Sequence, residues 1–195
     1  MSIEEICGNY DIINYTINED GSIDVDGDVY LDHKYLDRLP LKFNKVTGNF
    51  KCYDNELTSL EGSPKEVGEN FSCSDNKLTD LKGSPKEIGG NFDCSHNNLT
   101  SLEGCPESVG GDFDFAWNEI SNIYYIPKYI GKYFYLNGNN LGLLFNNVDM
   151  DFLRTFKSCK VIKGNVINLK RYKYVMSEFN KAIYLNDVKE YYKVK

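Results

Sequence analysis

The chain has no run of about 18 consecutive apolar residues, the least that a helix needs to cross a hydrocarbon core. Its start, Met1 followed by SIEEICGNYD, lacks the basic and apolar regions of a secretory leader. These absences lead us to expect a cytoplasmic protein with no membrane partner, whose six cysteines stay reduced and whose Asn-x-Ser/Thr triplets at Asn14, Asn70 and Asn98 carry no sugar. Histidine is scarce as well, with only His33 and His96. There is no H-x-x-x-H, no glycine-rich phosphate loop opening a helix, and no serine or cysteine set beside a base. We therefore expect no enzyme, no metal and no cofactor.

What is present is an ordinary globular composition, 41% apolar and 26% charged in 195 residues, with an uneven charge. The net charge of -7 divides into +6 over residues 148–195 and -13 over the first 147 residues. An acidic body repels phosphates, so duplex nucleic acid is not the expected partner.

The chain repeats. Phe50, Phe71, Phe92, Phe113 and Phe134 are spaced by 21 residues, and other columns keep the same period. They are Asn55, Asn76, Asn97, Asn118 and Asn139; Leu57, Leu78, Leu99, Ile120 and Leu141; Pro64, Pro85, Pro106 and Pro127; Val67, Ile88, Val109 and Ile130. Within a unit, Phe-x-Cys alternates with period two, which predicts a short strand with Phe71 and Cys73 inward and Asn70, Ser72 and Ser74 outward. Strands of successive units then stack in parallel, and the Asn column bonds backbone groups where the chain leaves the strand. The return path, as in LTSLEGSPKEVG, is too short and too broken by Pro and Gly for a helix, so it is expected to be extended. The column Gly68, Gly89, Gly110 and Gly131 is expected at a turn of positive φ.

The unit G-x-F-x-C-x-x-N-x-L-x-x-L-x-G-x-P-x-x-V/I resembles the leucine-rich repeat pattern, with Phe and Cys in place of two leucines. The short repeat with a Pro in its second half is similar to the bacterial effector type, and GNFxCSxNxLTSLEGxP also resembles repeats of phage-encoded proteins. The resemblance implies a mainly β solenoid, with parallel strands on the concave side and an extended or polyproline-like convex side. We divide the chain into an N-terminal cap at 1–27 with a β-hairpin about Asp20-Gly21, a leucine-rich repeat solenoid at 28–145, and a small, mainly α-helical C-terminal cap at 146–195 with strand-like KVIKGNVI inside it. A short helix at Ile3 to Ile6, opened by Ser2 with Glu5 three residues on, precedes the hairpin.

The stretch NFDCSHNNLTSLEGCP gathers Cys94, His96 and Cys105, and register separates them. Cys52, Cys73 and Cys94 share a column with Phe115 and Leu136, so they read as packing residues. Cys105 replaces Ser63 and Ser84 on the convex return, where it reads as a neutral swap. His33 and His96 lie three repeats apart, roughly 14 Å at the strand spacing, too far to share an ion.

A scaffold that repeats leaves function to the face that varies. The candidate binding surface is Tyr30, Asp32, His33, Tyr53, Asp75, Asp93, His96, Asp112, Asp114, Trp117, Tyr133 and Tyr135. Aromatics at the two ends and carboxylates between them fit a protein partner with a basic surface. We expect a non-catalytic protein-binding module, and the phage resemblance implies a host protein, a defence component, as the partner it inhibits. Two alternatives stay open: a small-molecule or nucleotide binder that stacks a base on Trp117, Tyr133 and Tyr135, and a self-associating scaffold or homo-oligomer.

Overall fold

The computed structural model describes residues 1–121, 125–135, 138–139, 162–163 and 166–168. The capping box is formed as read: Ser2 Oγ accepts from the Glu5 amide, the Glu5 carboxylate accepts from the Ser2 amide, and helix α1 runs Ile3–Asn9. The hairpin follows as β1 (Tyr15–Ile17) antiparallel to β2 (Ile23–Val25), its turn held by Asp20, which accepts from the Ser22 amide and hydroxyl. Cys7 and Ile12 lie in the buried core, so α1 and the segment after it close the N-terminal end.

Beyond the hairpin the chain winds as a β-solenoid of about 21 residues per turn. Each turn contributes a very short strand to each of two parallel sheets. The front sheet carries the phenylalanine column through β3 (Val29–Tyr30), β5 (Phe50–Lys51), β7 (Phe71–Ser72), β9 (Phe92–Asp93), β11 (Phe113–Asp114) and β13 (Tyr133–Tyr135). The back sheet starts with β1 and β2 and continues through β4 (Phe43–Val46), β6 (Glu66–Val67), β8 (Glu87–Ile88), β10 (Ser108–Val109) and β12 (Tyr129–Ile130). The return leg is thus extended as read and also pairs, because Val67, Ile88, Val109 and Ile130 fall in register and each coil donates to the one before. Beside β13 the front sheet ends in an antiparallel hairpin of β14 (Ile162–Lys163) and β15 (Val166–Asn168), the strand-like segment of the C-terminal part. The helices expected on either side of it, and Leu136, Leu141 and Cys159, lie outside the described residues.

The core lies between the sheets and is built of columns. Phe50, Phe71, Phe92 and Phe113 are fully buried, with successive ring centroids 5.4, 5.7 and 5.3 Å apart. Leu57, Leu60, Leu78, Leu81, Leu99 and Leu102 fill the rest, together with Cys52, Cys73 and Cys94. Burial pushes the Cys73 and Cys94 thiols well above their usual range, as expected of packing groups rather than nucleophiles. Cys105 is half-buried against the same core, its thiol also pushed up by burial, and so it turns inward from the return leg.

The asparagine column forms the expected ladder. Asn76 Oδ1 accepts from the Leu57 amide at 2.9 Å, while its Nδ2 donates to the carbonyls of Cys52, Cys73 and Ser74. Asn97 and Asn118 repeat the set one coil on, satisfying backbone groups that the turn would otherwise strand in the core.

One expectation is corrected. The glycines at 68, 89, 110 and 131 do not have positive φ; a Cβ at Gly68, Gly89, Gly110 or Gly131 would instead collide with the carbonyl oxygen of Thr47, Gly68, Gly89 or Gly110 of the preceding coil. The requirement is close approach of stacked backbones. Positive φ falls instead on another repeating glycine column, Gly62, Gly83 and Gly104, at φ 92, 89 and 88°.

Candidate functional site

The outward positions of the front sheet form three columns. Along mid-strand stand Tyr30, Lys51, Ser72, Asp93, Asp114 and Tyr135; two residues on stand Asp32, Tyr53, Ser74, Ser95 and Ala116. The third column sits where each strand turns into its asparagine, and every member is left-handed: His33, Asp54, Asp75, His96 and Trp117 have φ between 51 and 55°, and Gly138 has 71°. Asp and His tolerate this conformation better than most residues, whereas a bulky side chain there is an outlier. The turn throws the third-column side chains outward in a file along one margin of the sheet. A fourth file, Asp28, Asn49, Asn70, Asn91 and Asp112, borders the other margin, each side-chain oxygen from Asp28 to Asn91 accepting from the backbone amide of the next member.

The two ends of this face differ chemically. At the N-terminal end the Tyr30 hydroxyl donates to Asp28 Oδ2 at 2.7 Å, and Lys51 Nζ sits 5.2 Å from the Tyr30 ring centroid. His33 Nδ1 meets Asp54 Oδ2 at 2.5 Å, and the His33 ring packs edge-on to Tyr53 at 5.1 Å. Asp28 is held below the ordinary carboxylate range, chiefly by the Asn49 amide and then by Tyr30. The charge of Asp32 pushes the Tyr53 hydroxyl up.

The middle is a floor of small residues, Ser72, Ser74 and Ser95, the last two buried. Then come two half-buried carboxylates in register on neighbouring strands, Asp93 and Asp114. Asp93 Oδ1 accepts from the Ser95 amide and hydroxyl at 3.0 and 2.7 Å, and Asp114 Oδ1 from the Ala116 amide at 2.9 Å. Asp114 is raised above its ordinary value, first by burial and then by the charge of Asp93. Beside them the His96 and Trp117 rings stack at 5.7 Å and 18°, and Trp117 is 55% exposed. On its other side the indole lies against Gly138, where a Cβ would come within 2.6 Å of Trp117 Cε3.

Of the residues singled out in the sequence, the fold gathers Asp93, Asp112, Asp114, His96 and Trp117 on two adjacent rungs, with Tyr135 half-buried on the next. Tyr30, Asp32, His33 and Tyr53 form a separate group at the first two rungs, and Asp75 stands exposed between the groups. Tyr133 is the first residue of β13, in register with Asn168; its side chain lies outside the described residues. Sequence reasoning missed the left-handed column and the Asp28 to Asp112 ladder. Both left a signal, a column rich in Asp, His and Gly before the core asparagine and a run of Asn and Asp before each phenylalanine.

Among the described residues no helix is long and apolar enough to cross a membrane, and no group of three or more His, Cys, Asp or Glu side chains converges as a metal site would require. No family model, no curated protein and no solved structure matches the chain.

Proposed function

We propose that this chain is a non-catalytic protein-binding module of the leucine-rich-repeat kind, which holds its partner across the outward face of the front sheet. One observation carries the reading: a scaffold that repeats rung after rung in Phe, Asn and Leu changes charge and aromaticity where its side chains face outward, and there it sets an exposed Trp117 beside Asp93 and Asp114. Proteins bury such aromatics at the centre of an interface more readily than they leave them in water. The carboxylates select a partner with a basic surface. On the resemblance to phage-encoded repeats, that partner is a host defence protein, met in the host cytoplasm and blocked by binding.

The experiment is co-purification from host lysate with the wild type and with a variant carrying Tyr53, Asp93, Asp112, Asp114 and Trp117 changed to Ala. A partner retained by the wild type and lost by the variant is the expected result. The same set of retained proteins with both chains would remove the front face from consideration.

A further inference from the structure

Resting on that reading, we infer that the rungs of Asp93 and Asp114 with the His96–Trp117 stack form a subsite for one arginine side chain of the partner, the guanidinium lying along the indole and bridging the two carboxylates. Three features specify the chemistry. Asp93 and Asp114 are direct neighbours on parallel strands, roughly 4.8 Å apart at the strand spacing, and each commits Oδ1 to its own rung, which leaves Oδ2 to a ligand. That spacing suits the planar fork of a guanidinium, whose five N–H donors serve two acceptors at once; an ammonium offers no such plane.

The second feature is charge. Among the described outward positions of the front sheet from Asn70 to Trp117 there is no lysine or arginine, and His96 is the one basic side chain near the pair. Two half-buried like charges are costly side by side, and a cation from outside offsets that cost. The third feature is the platform. Trp117 holds a left-handed conformation that a bulky residue adopts at some expense, and its ring stacks on His96 on one side. On the other its Cδ2 and Cε3 lie against Gly138, which has no side chain to extend over the rest of the indole, so the residue stays 55% exposed. An arginine laid on a partly exposed indole gains both stacking and cation–π attraction.

Trp117 is the only tryptophan of the chain, so its emission reports on this subsite directly. The probe is the capped pentapeptide acetyl-Gly-Ser-Arg-Ser-Gly-amide, titrated into the full-length protein beside versions with citrulline or lysine in place of arginine. The expected result is a saturable emission change with a dissociation constant in the millimolar range or tighter, and at least about tenfold weaker binding for the lysine peptide. The citrulline peptide should give no response. Asp93→Asn with Asp114→Asn, which keeps both Oδ1 acceptors and whose fold is checked by thermal melting, should also weaken the arginine peptide at least about tenfold. Equal responses to arginine and citrulline, a lysine peptide that binds as well, or an unchanged Asn variant would overturn the assignment. So would a silent titration alongside a partner still captured through Trp117, which leaves the interaction reading standing. The reverse result, an arginine-specific titration with no partner captured from lysate, keeps the subsite and removes the reading beneath it.

Discussion

The two ends of the front face are built on the same coils and carry the same kinds of side chain, yet one is closed on itself and the other is open. In the outward columns of the first two rungs each aromatic has a charged neighbour, Tyr30 with Asp28 and Lys51, His33 with Asp54, and Tyr53 beside Asp32, while Tyr35 beyond the turn stands exposed. At the fourth and fifth rungs Asp93 accepts from Ser95 and Asp114 from the Ala116 amide, among the described residues neither meets a lysine or arginine, and the aromatic stack faces water. Satisfied groups define a surface; unsatisfied charge beside an exposed ring defines a demand on something else. The comparison therefore locates recognition at the Trp117 end and makes the Tyr30 end a flank.

Both ends share one support, and breaking it gives the largest effect. Phe92 is fully buried between the rings of Phe71 and Phe113, so Phe92→Ala should cost about 3–5 kcal/mol. Because every coil rests on the next, urea unfolding should show the two ends lost in one transition. Two separated transitions would mean that the ends are energetically independent, and the contrast between them would then be one between two bodies.

Smaller in stability and large in binding is Trp117→Gly. The substitution removes an outlying left-handed tryptophan, which relieves strain of about 1–2 kcal/mol, and loses a stacked pair of about 0.5–1.5 kcal/mol. The melting temperature should move little while partner capture falls at least about tenfold. The equivalent change at the closed end, His33→Gly, should leave capture unaffected.

The fold was legible because its signals are periodic. Phe, Asn, Leu and Pro columns repeat at the coil length, and packing obeys them without exception among the described coils. The back sheet was read as an extended leg only, because two-residue strands such as Glu87–Ile88 are too short to show alternation. The glycine column was legible in place and misread in cause: Gly89 is required by a carbonyl of the previous coil, and sequence spacing does not tell a crowded position from a turned one. The candidate site was half legible. Asp93, His96, Asp114 and Trp117 stood out by type, but the pairing that closes the Tyr30 end and leaves the Trp117 end open depends on where Lys51 and Asp54 place their tips.

Titration sharpens the same contrast. Asp28 lies below its ordinary value in the folded chain, so the folded state holds fewer protons than the unfolded one; its stabilisation is present above the ordinary value of 3.8 and is lost as pH falls. Asp114 lies above its ordinary value of 3.8, so the folded state holds the proton more tightly, and stability falls as pH rises through that window. Asp28→Asn should thus destabilise at pH 7 with a loss that shrinks in acid, whereas Asp114→Asn should stabilise at pH 7 with a gain that disappears below the ordinary carboxylate range. Urea midpoints of the wild type and both variants across pH 3 to 7 measure the two slopes, and slopes of the same sign would erase the distinction.

The smallest effect on stability is expected where the comparison is most directly reversed. Lys51 supplies the only lysine or arginine in the outward columns from β3 to β11, and its contact with Tyr30 is an exposed cation–π pair of about 0.5–1 kcal/mol. Lys51→Ser should lower stability by no more than that. It also leaves Asp28 and Tyr30 without their cation, which recreates at the first rungs the uncompensated charge beside a ring of the other end. In a Trp117→Gly background, Lys51→Ser should restore a weak calorimetric response to the arginine peptide. No restoration would show that carboxylates and a ring are insufficient by themselves, and that the stacked, left-handed geometry of His96 and Trp117 is what makes the open end a site.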